Sequence, residues 1–201
     1  MKKRLARWLL KLAGWQLEGA RPEHDRYVLI AAPHTSNWDF PYMLAFAAAF
    51  EIKVTWMAKH SLFVGPMGWF MRAMGGMPII RHKNSNVVDS MVEAFRTTSA
   101  LVLVVPTEGT RDKTEFWKSG FYHIARQANV PIVPSFLDFG RKVGGFGPAV
   151  ITSGEVTLDM QRLRDFYAGM RGKFPDQFGP VRLKEEGEPV AQRASSNERQ
   201  P

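Results

Sequence analysis

Apolar and polar positions alternate along the chain in blocks that predict strands and helices in turn. Tyr27–Pro33 (YVLIAAP) is a short apolar run rich in strand formers, and Trp38–Phe50 follows with an Asp and an early Pro before an alanine-rich helical stretch. Lys53–Ala58 predicts a second strand. Ser61–Gly76 is apolar but broken by Gly65, Pro66, Gly68, Gly75 and Gly76, which suits turns or short helices, and Met77–Arg81 returns as a strand. Val88, Met91, Val92 and Phe95 recur at helical spacing within Asn84–Thr98, and Ala100–Pro106 (ALVLVVP) has the continuous apolar character of a strand buried on both faces. Phe116–Asn129 predicts a helix, Val130–Phe139 and Ala149–Ser153 predict strands, and Leu158–Phe174 predicts a last helix. This alternation predicts an α/β fold, a single domain with a mixed, largely parallel sheet flanked by helices.

Both ends differ from this middle. At the amino terminus Leu5, Trp8, Leu9 and Leu12 share one helical face while Arg4, Arg7 and Lys11 gather opposite, so residues 1–17 read as a basic amphipathic helix. Two readings stay open for it: a helix lying in a membrane surface with its cations toward anionic lipid, or one packed on its own core with a solvated basic face. Residues 18–183 form the expected domain. Residues 184–201 lack large apolar side chains and are expected to be disordered.

Composition narrows the chemistry. The 201 residues are 45% hydrophobic and 23% charged, the balance of an ordinary folded protein, and a single core is the default at this length. With no cysteine, disulfides, thiolate metal sites and cysteine nucleophiles are excluded. The 27 Lys and Arg against 19 Asp and Glu give a net charge of +8, which favours polyanionic partners such as anionic lipid or phosphorylated substrates. The uncharged run Phe40–Phe50 is too short to span a bilayer, so a cytoplasmic protein peripherally associated with an anionic membrane surface is expected.

Two polar clusters follow apolar strands. His34-Thr35-Ser36-Asn37-Trp38-Asp39 sits where the first strand gives way to a helix, the place where open α/β sheets put ligand sites. Two residues five apart in one helix would diverge around its axis. His34 is therefore expected in the loop, with Asp39 in or just before the first helical turn so that its carboxylate reaches back to the imidazole. Such a pair makes a general base; the spacing alone equally suits an Asp cap beside a polar loop His. Thr107-Glu108-Gly109-Thr110-Arg111 follows the strand ALVLVVP and reads as an anion site or as an ordinary turn, and Arg81 closes another apolar segment.

Taken together and in this order, these segments resemble the glycerolipid acyltransferase superfamily, typified by lysophosphatidic acid acyltransferase. Its first motif, His, four residues, Asp, matches His34 through Asp39, and its second resembles Lys59 through Arg81. The third matches Glu108-Gly109-Thr110-Arg111 and extends to Lys118-Ser119-Gly120, and Val130-Pro131-Ile132-Val133-Pro134 resembles the fourth. The resemblance spans about residues 27–139. Thr107 stands where the family commonly has proline, and Ser61 where its phosphatidate-forming members often carry Glu.

The resemblance implies a glycerol-3-phosphate acyltransferase-like fold and transfer of a fatty acyl group from acyl-CoA or acyl carrier protein to a hydroxyl of a lysophospholipid or glycerolipid-like acceptor. It implies His34 and Asp39 as the catalytic pair, Arg81 and Arg111 as anchors of the acceptor's phosphate or other anionic headgroup, Glu108, Gly109 and Thr110 beside them fixing the acceptor or the loop, and Pro131 and Pro134 toward the acyl donor. For the two prolines a structural role in a buried strand is the competing reading. No metal and no cofactor beyond the co-substrate is implied, and no nucleic-acid motif is present. The alternatives are an acyl thioesterase using the same base and a non-catalytic peripheral lipid-binding protein.

Overall fold

Along the strand Arg26–Ala31 the side chains alternate between two cores: Val28 and Ile30 enter one, Tyr27 and Leu29 the other, and all four are buried. Cover on both faces explains why this strand reads as a continuous apolar run rather than as alternation. The structure is a computed structural model and describes residues 2–79 and 87–187.

The elements run α1 (Lys2–Leu12), β1 (Gln16–Glu18), β2 (Arg26–Ala31), α2 (Asp39–Ala49), β3 (Val54–Lys59), α3 (Gly65–Ala73) and β4 (Gly76–Ile79). Then come α4 (Val87–Thr97), β5 (Leu101–Pro106), α5 (Gly120–Ala128), β6 (Ile132–Asp138), β7 (Val143–Phe146) and α6 (Val156–Tyr167). The seven strands form one sheet in the order β1-β7-β6-β2-β5-β3-β4, parallel at every pairing except β6 with β7. One face is covered by α1 and α2 through Ala6, Leu10, Phe46, Ala47 and Ala49. The other is covered by α4, α5 and α6 through Met91, Phe95, Phe121, Ile124, Met160 and Leu163. The expected α/β architecture is the observed one.

Several boundaries differ from the sequence expectation. β1 and β7 were not expected, because VGGF (143–146) carries two residues of poor strand propensity. The glycines are there for close approach: a Cβ on Gly145 would lie 1.8 Å from Glu18 O, and one on Gly144 would lie 2.5 Å from the Phe46 ring. Ala149–Ser153 makes only a bridge, Val150 to Ile132, since Ser153 donates its N–H to Asp159 Oδ2 at 2.8 Å and the chain turns into α6. Helix α6 stops at Tyr167, ahead of Gly169 at φ +78°, rather than at Phe174. Helix α5 starts at Gly120 rather than Phe116: Trp117 is drawn into a bridge with Leu183, and Ser119 O is the carbonyl that accepts the His123 N–H. At the carboxyl end Lys184–Gly187 form a 3₁₀ turn held by Glu186 to Arg164, and residues 188–201 lie outside the described part.

Helix α1 lies against α2. It packs through Ala6 and Leu10, and Lys3 Nζ pairs with Glu51 Oε2 at 2.6 Å. The face read as apolar is not the one that packs: Leu5, Trp8, Leu9 and Leu12 are all about half exposed or more.

Candidate active site

β2 and β5 are parallel neighbours whose register pairs Ala31 with Pro106, so their carboxyl ends lie level. The loops that follow, one carrying His34 and the other Glu108 to Arg111, are brought side by side by that register. This is the position at which open α/β sheets place ligands. Asp39 is the first residue of α2, and its carboxylate reaches back as expected: Oδ2 lies 3.1 Å from His34 Nδ1 and accepts the Ser36 N–H at 2.9 Å. Ser36 Oγ in turn accepts the Trp38 N–H at 2.9 Å, which tightens the loop. Nδ1 faces the Asp39 carboxylate, which leaves Nε2 as the ring nitrogen turned away from it. His34 is partly exposed and Asp39 is buried, so the pair has an outer and an inner member.

Glu108 is also buried, at 1% exposure, and its Oε2 accepts the backbone N–H of His34 at 2.9 Å. Of the two roles the resemblance leaves to Glu108, fixing the acceptor or the loop, so enclosed a carboxylate suits the second, and it holds the loop of the base. Burial, with the Asp39 charge nearby, pushes the Glu108 carboxyl up to about 7 despite the opposing His34 bond. Below it Tyr167, fully buried and held neutral by burial and by Glu108, donates its hydroxyl to Ser135 O at 2.9 Å.

Of the other residues singled out from sequence, Gly109 and Thr110 are exposed in the turn, Gly109 at φ +71°. The space beside Gly109 is filled by Lys118, whose Cγ would be 3.0 Å from an added Cβ. Arg111 is exposed, lines the same cavity as His34, and has no acidic partner among the described residues. Arg81 lies outside the described residues. Pro131 and Pro134 are built into the sheet, their carbonyls accepting from Val28 and Gly147, and neither lines the cavity beside His34.

That cavity, of about 350 Å³, lies between α2 and the sheet. His34, Asp39 and Arg111 line it with a largely apolar wall that includes Leu29, Met43, Phe46, Trp56, Val104 and Phe136. An apolar cavity with few convergent polar groups is the usual form of a small-molecule site. The Ser61–Gly76 stretch supplies only Leu62 to it. Core packing, the other reading of that stretch, holds for Phe63 and Gly68, whereas Leu62, Val64, Met67, Trp69 and Phe70 are exposed. Sequence periodicity gave no signal for a cavity under α2, since its lining comes from five strands and one helix.

A family model described as Acyltransferase matches residues 16–138. A 1-acyl-sn-glycerol-3-phosphate acyltransferase of Streptococcus pneumoniae is 29% identical over 138 residues, 64% of this chain and 51% of its own. One of Saccharomyces cerevisiae is 34% identical over 117 residues, 54% of this chain and 37% of its own. The chain thus spans about half, or less, of the length of the curated relatives it matches. The crystal structure of the 1-acyl-sn-glycerophosphate (LPA) acyltransferase PlsC from Thermotoga maritima has the same fold. It superposes with a TM-score of 0.56 at 17% identity, covering 85% of this chain and 80% of that one.

Proposed function

Because the chain belongs to the acyltransferase family, we propose that it transfers a fatty acyl group from an acyl thioester to a hydroxyl of a lysophospholipid or glycerolipid-like acceptor, with His34 as general base. The observation that carries this reading is the His34–Asp39 pair set in the wall of an apolar cavity that also holds an unpaired arginine, Arg111.

The chemistry runs through His34 Nε2. It takes the proton of the acceptor hydroxyl as that oxygen attacks the thioester carbonyl carbon. Asp39, whose carboxylate lies beside Nδ1, stabilises the positive ring that results. Collapse of the tetrahedral intermediate breaks the carbon–sulfur bond, and the proton passes from His34 to the departing sulfur. Base catalysis of this kind contributes about 10²–10⁴-fold, and positioning of the two substrates supplies the rest. The apolar cavity beneath α2 suits the acyl chain, and the exposed guanidinium of Arg111 suits the acceptor's phosphate through two hydrogen bonds. Coenzyme A and acyl carrier protein are both suitable donors.

The half-exposed Leu5, Trp8, Leu9 and Leu12, flanked by exposed Lys2, Arg4 and Lys11, suit a helix resting in an anionic membrane surface, where lipid acceptors are found. No helix among the described residues is long and apolar enough to cross a membrane.

The deciding experiment is thiol release from acyl-CoA, with and without lysophospholipid and non-phosphorylated acceptors. Having no cysteine, the protein adds no thiol of its own. Acceptor-dependent release that is lost in His34→Ala supports transfer. Acceptor-independent release identifies a thioesterase, and vesicle binding with no release from any donor, acyl carrier protein included, identifies a lipid-binding protein.

A further inference from the structure

The family match ends at residue 138, yet a later segment returns to the site. After α6 the backbone runs along the outside of both loops. Gly172 lies so close to the first that a Cβ on it would be 2.5 Å from Thr35 Oγ1 and 3.1 Å from Pro33 Cβ. Phe174 donates its N–H to Thr35 Oγ1 at 3.2 Å, and Lys173 Nζ sits 4.9 Å over the Trp38 ring. The inward atom of the Gln177 side-chain amide lies 2.9 Å from Thr35 O and 3.0 Å from Arg111 O, and with the nitrogen assigned there it donates to both. The opposite orientation would set the amide oxygen against both carbonyl oxygens. The segment is itself tied down: Arg171 O accepts from Phe139 N–H at 2.9 Å, Arg182 O accepts from Trp117 N–H at 2.8 Å, and Arg182 pairs with Glu115 at 2.7 Å.

Among the described residues one direct hydrogen bond joins the loop of the base to the loop of the arginine, from His34 N–H to Glu108. A single link is a pivot, about which the loops can still rotate. The Gln177 amide adds a second link one residue beyond His34 and at the far end of the segment 108–111. Two links fix the angle between the loops, and with it the backbone position from which the Arg111 side chain reaches toward His34.

We propose that Gln177 is a positioning residue for acyl transfer, a clamp that sets the base and the anion-binding arginine at the separation a phosphorylated acceptor requires. The inference rests on the acyl-transfer reading and extends it to a part of the chain that the family match does not reach. Its chemistry is specific: bridging two carbonyls from one atom takes two N–H groups on that atom, which the amide nitrogen has. Glutamate has the same length but only acceptors, and asparagine is one methylene shorter.

The test compares wild type, Gln177→Ala, Gln177→Glu and Gln177→Asn with acyl-CoA and two acceptors, lysophosphatidate and a monoacylglycerol. A clamp predicts that kcat with lysophosphatidate falls about tenfold to a hundredfold in all three variants, most in Gln177→Glu. The rate with monoacylglycerol, which needs the base but not the arginine, is expected to fall several-fold less. A purely structural residue would instead lower the melting temperature and scale both rates together, and that result, like unchanged rates, would overturn the proposal. Backbone amide exchange supplies a readout that does not depend on activity. Faster exchange at both 34–36 and 109–111 in Gln177→Ala is expected, and unchanged exchange overturns the clamp. Should the wild type turn over no acceptor, the acyl-transfer reading fails while exchange still judges the contact.

Discussion

The backbone N–H of His34 is held by the carboxylate of Glu108 at 2.9 Å, across 74 residues of sequence. The bond fixes the loop of the base to the end of the neighbouring strand. It also turns the Glu108 side chain inward, where it is buried and its Oε1 has no hydrogen-bond partner. The charged form of this group is therefore disfavoured in the folded protein.

A pH dependence of stability follows. Glu108 is raised from 4.5 to about 7, so between those values the folded state holds a proton that the unfolded state has lost. The stabilisation is fully present below the unfolded value and is lost as pH rises through 7. In Glu108→Gln, which keeps an acceptor for His34 N–H, this loss is expected to vanish. Denaturant unfolding at pH 5 and pH 8 should show wild type losing on the order of 3 kcal/mol more than the variant. Parallel pH profiles would mean that the carboxyl titrates as it does in water.

Arg111 faces the cavity without an acidic partner, so its removal is expected to act on acceptor binding and to leave the fold intact. A charge-assisted bond of about 1.5–3 kcal/mol corresponds to a rise in KM of roughly 10- to 150-fold for a phosphorylated acceptor in Arg111→Ala. The acyl donor's KM should change little. An unchanged acceptor KM would place the phosphate elsewhere.

Helix α1 calls for point substitutions. Deleting residues 1–17 would also strip Leu10 and Trp15 from the core. Trp8→Glu and Leu12→Glu alter side chains that are 56% and 66% exposed and should leave stability within about 0.5 kcal/mol of wild type. Cosedimentation with anionic vesicles is expected to fall in both. Equal binding by wild type and variants would show that this face meets no membrane.

Glycines in this chain differ sharply in what they tolerate. Gly145→Ala drives a methyl into Glu18 O and should detach β1 from β7, at a cost of about 1–3 kcal/mol or more. Gly120→Ala, in the first turn of α5 with nothing within 4 Å, should be neutral or stabilising by up to about 1 kcal/mol. Thermal unfolding of the two variants measures the contrast directly.

Local pattern and chain order carried much of this protein. The two-faced strand around Val28–Ile30, the strand Leu101–Pro106, the helix starting at Asp39 and the His34–Asp39 contact all follow from residues a few positions apart, where backbone propensity and burial act directly. The order of the motifs is legible for the same reason, since it needs no knowledge of what lies opposite. Tertiary structure decided what depends on residues distant in sequence. Which of its two roles Glu108 takes depends on the parallel pairing that sets it against His34, and VGGF gives no strand signal until Glu18 and Phe46 arrive against its missing side chains. The cavity needs five strands and α2 in place before it exists. Gln177 has no signal in the sequence at all, because its meaning lies in two carbonyls, at Thr35 and Arg111, that only the folded chain brings within reach of one nitrogen.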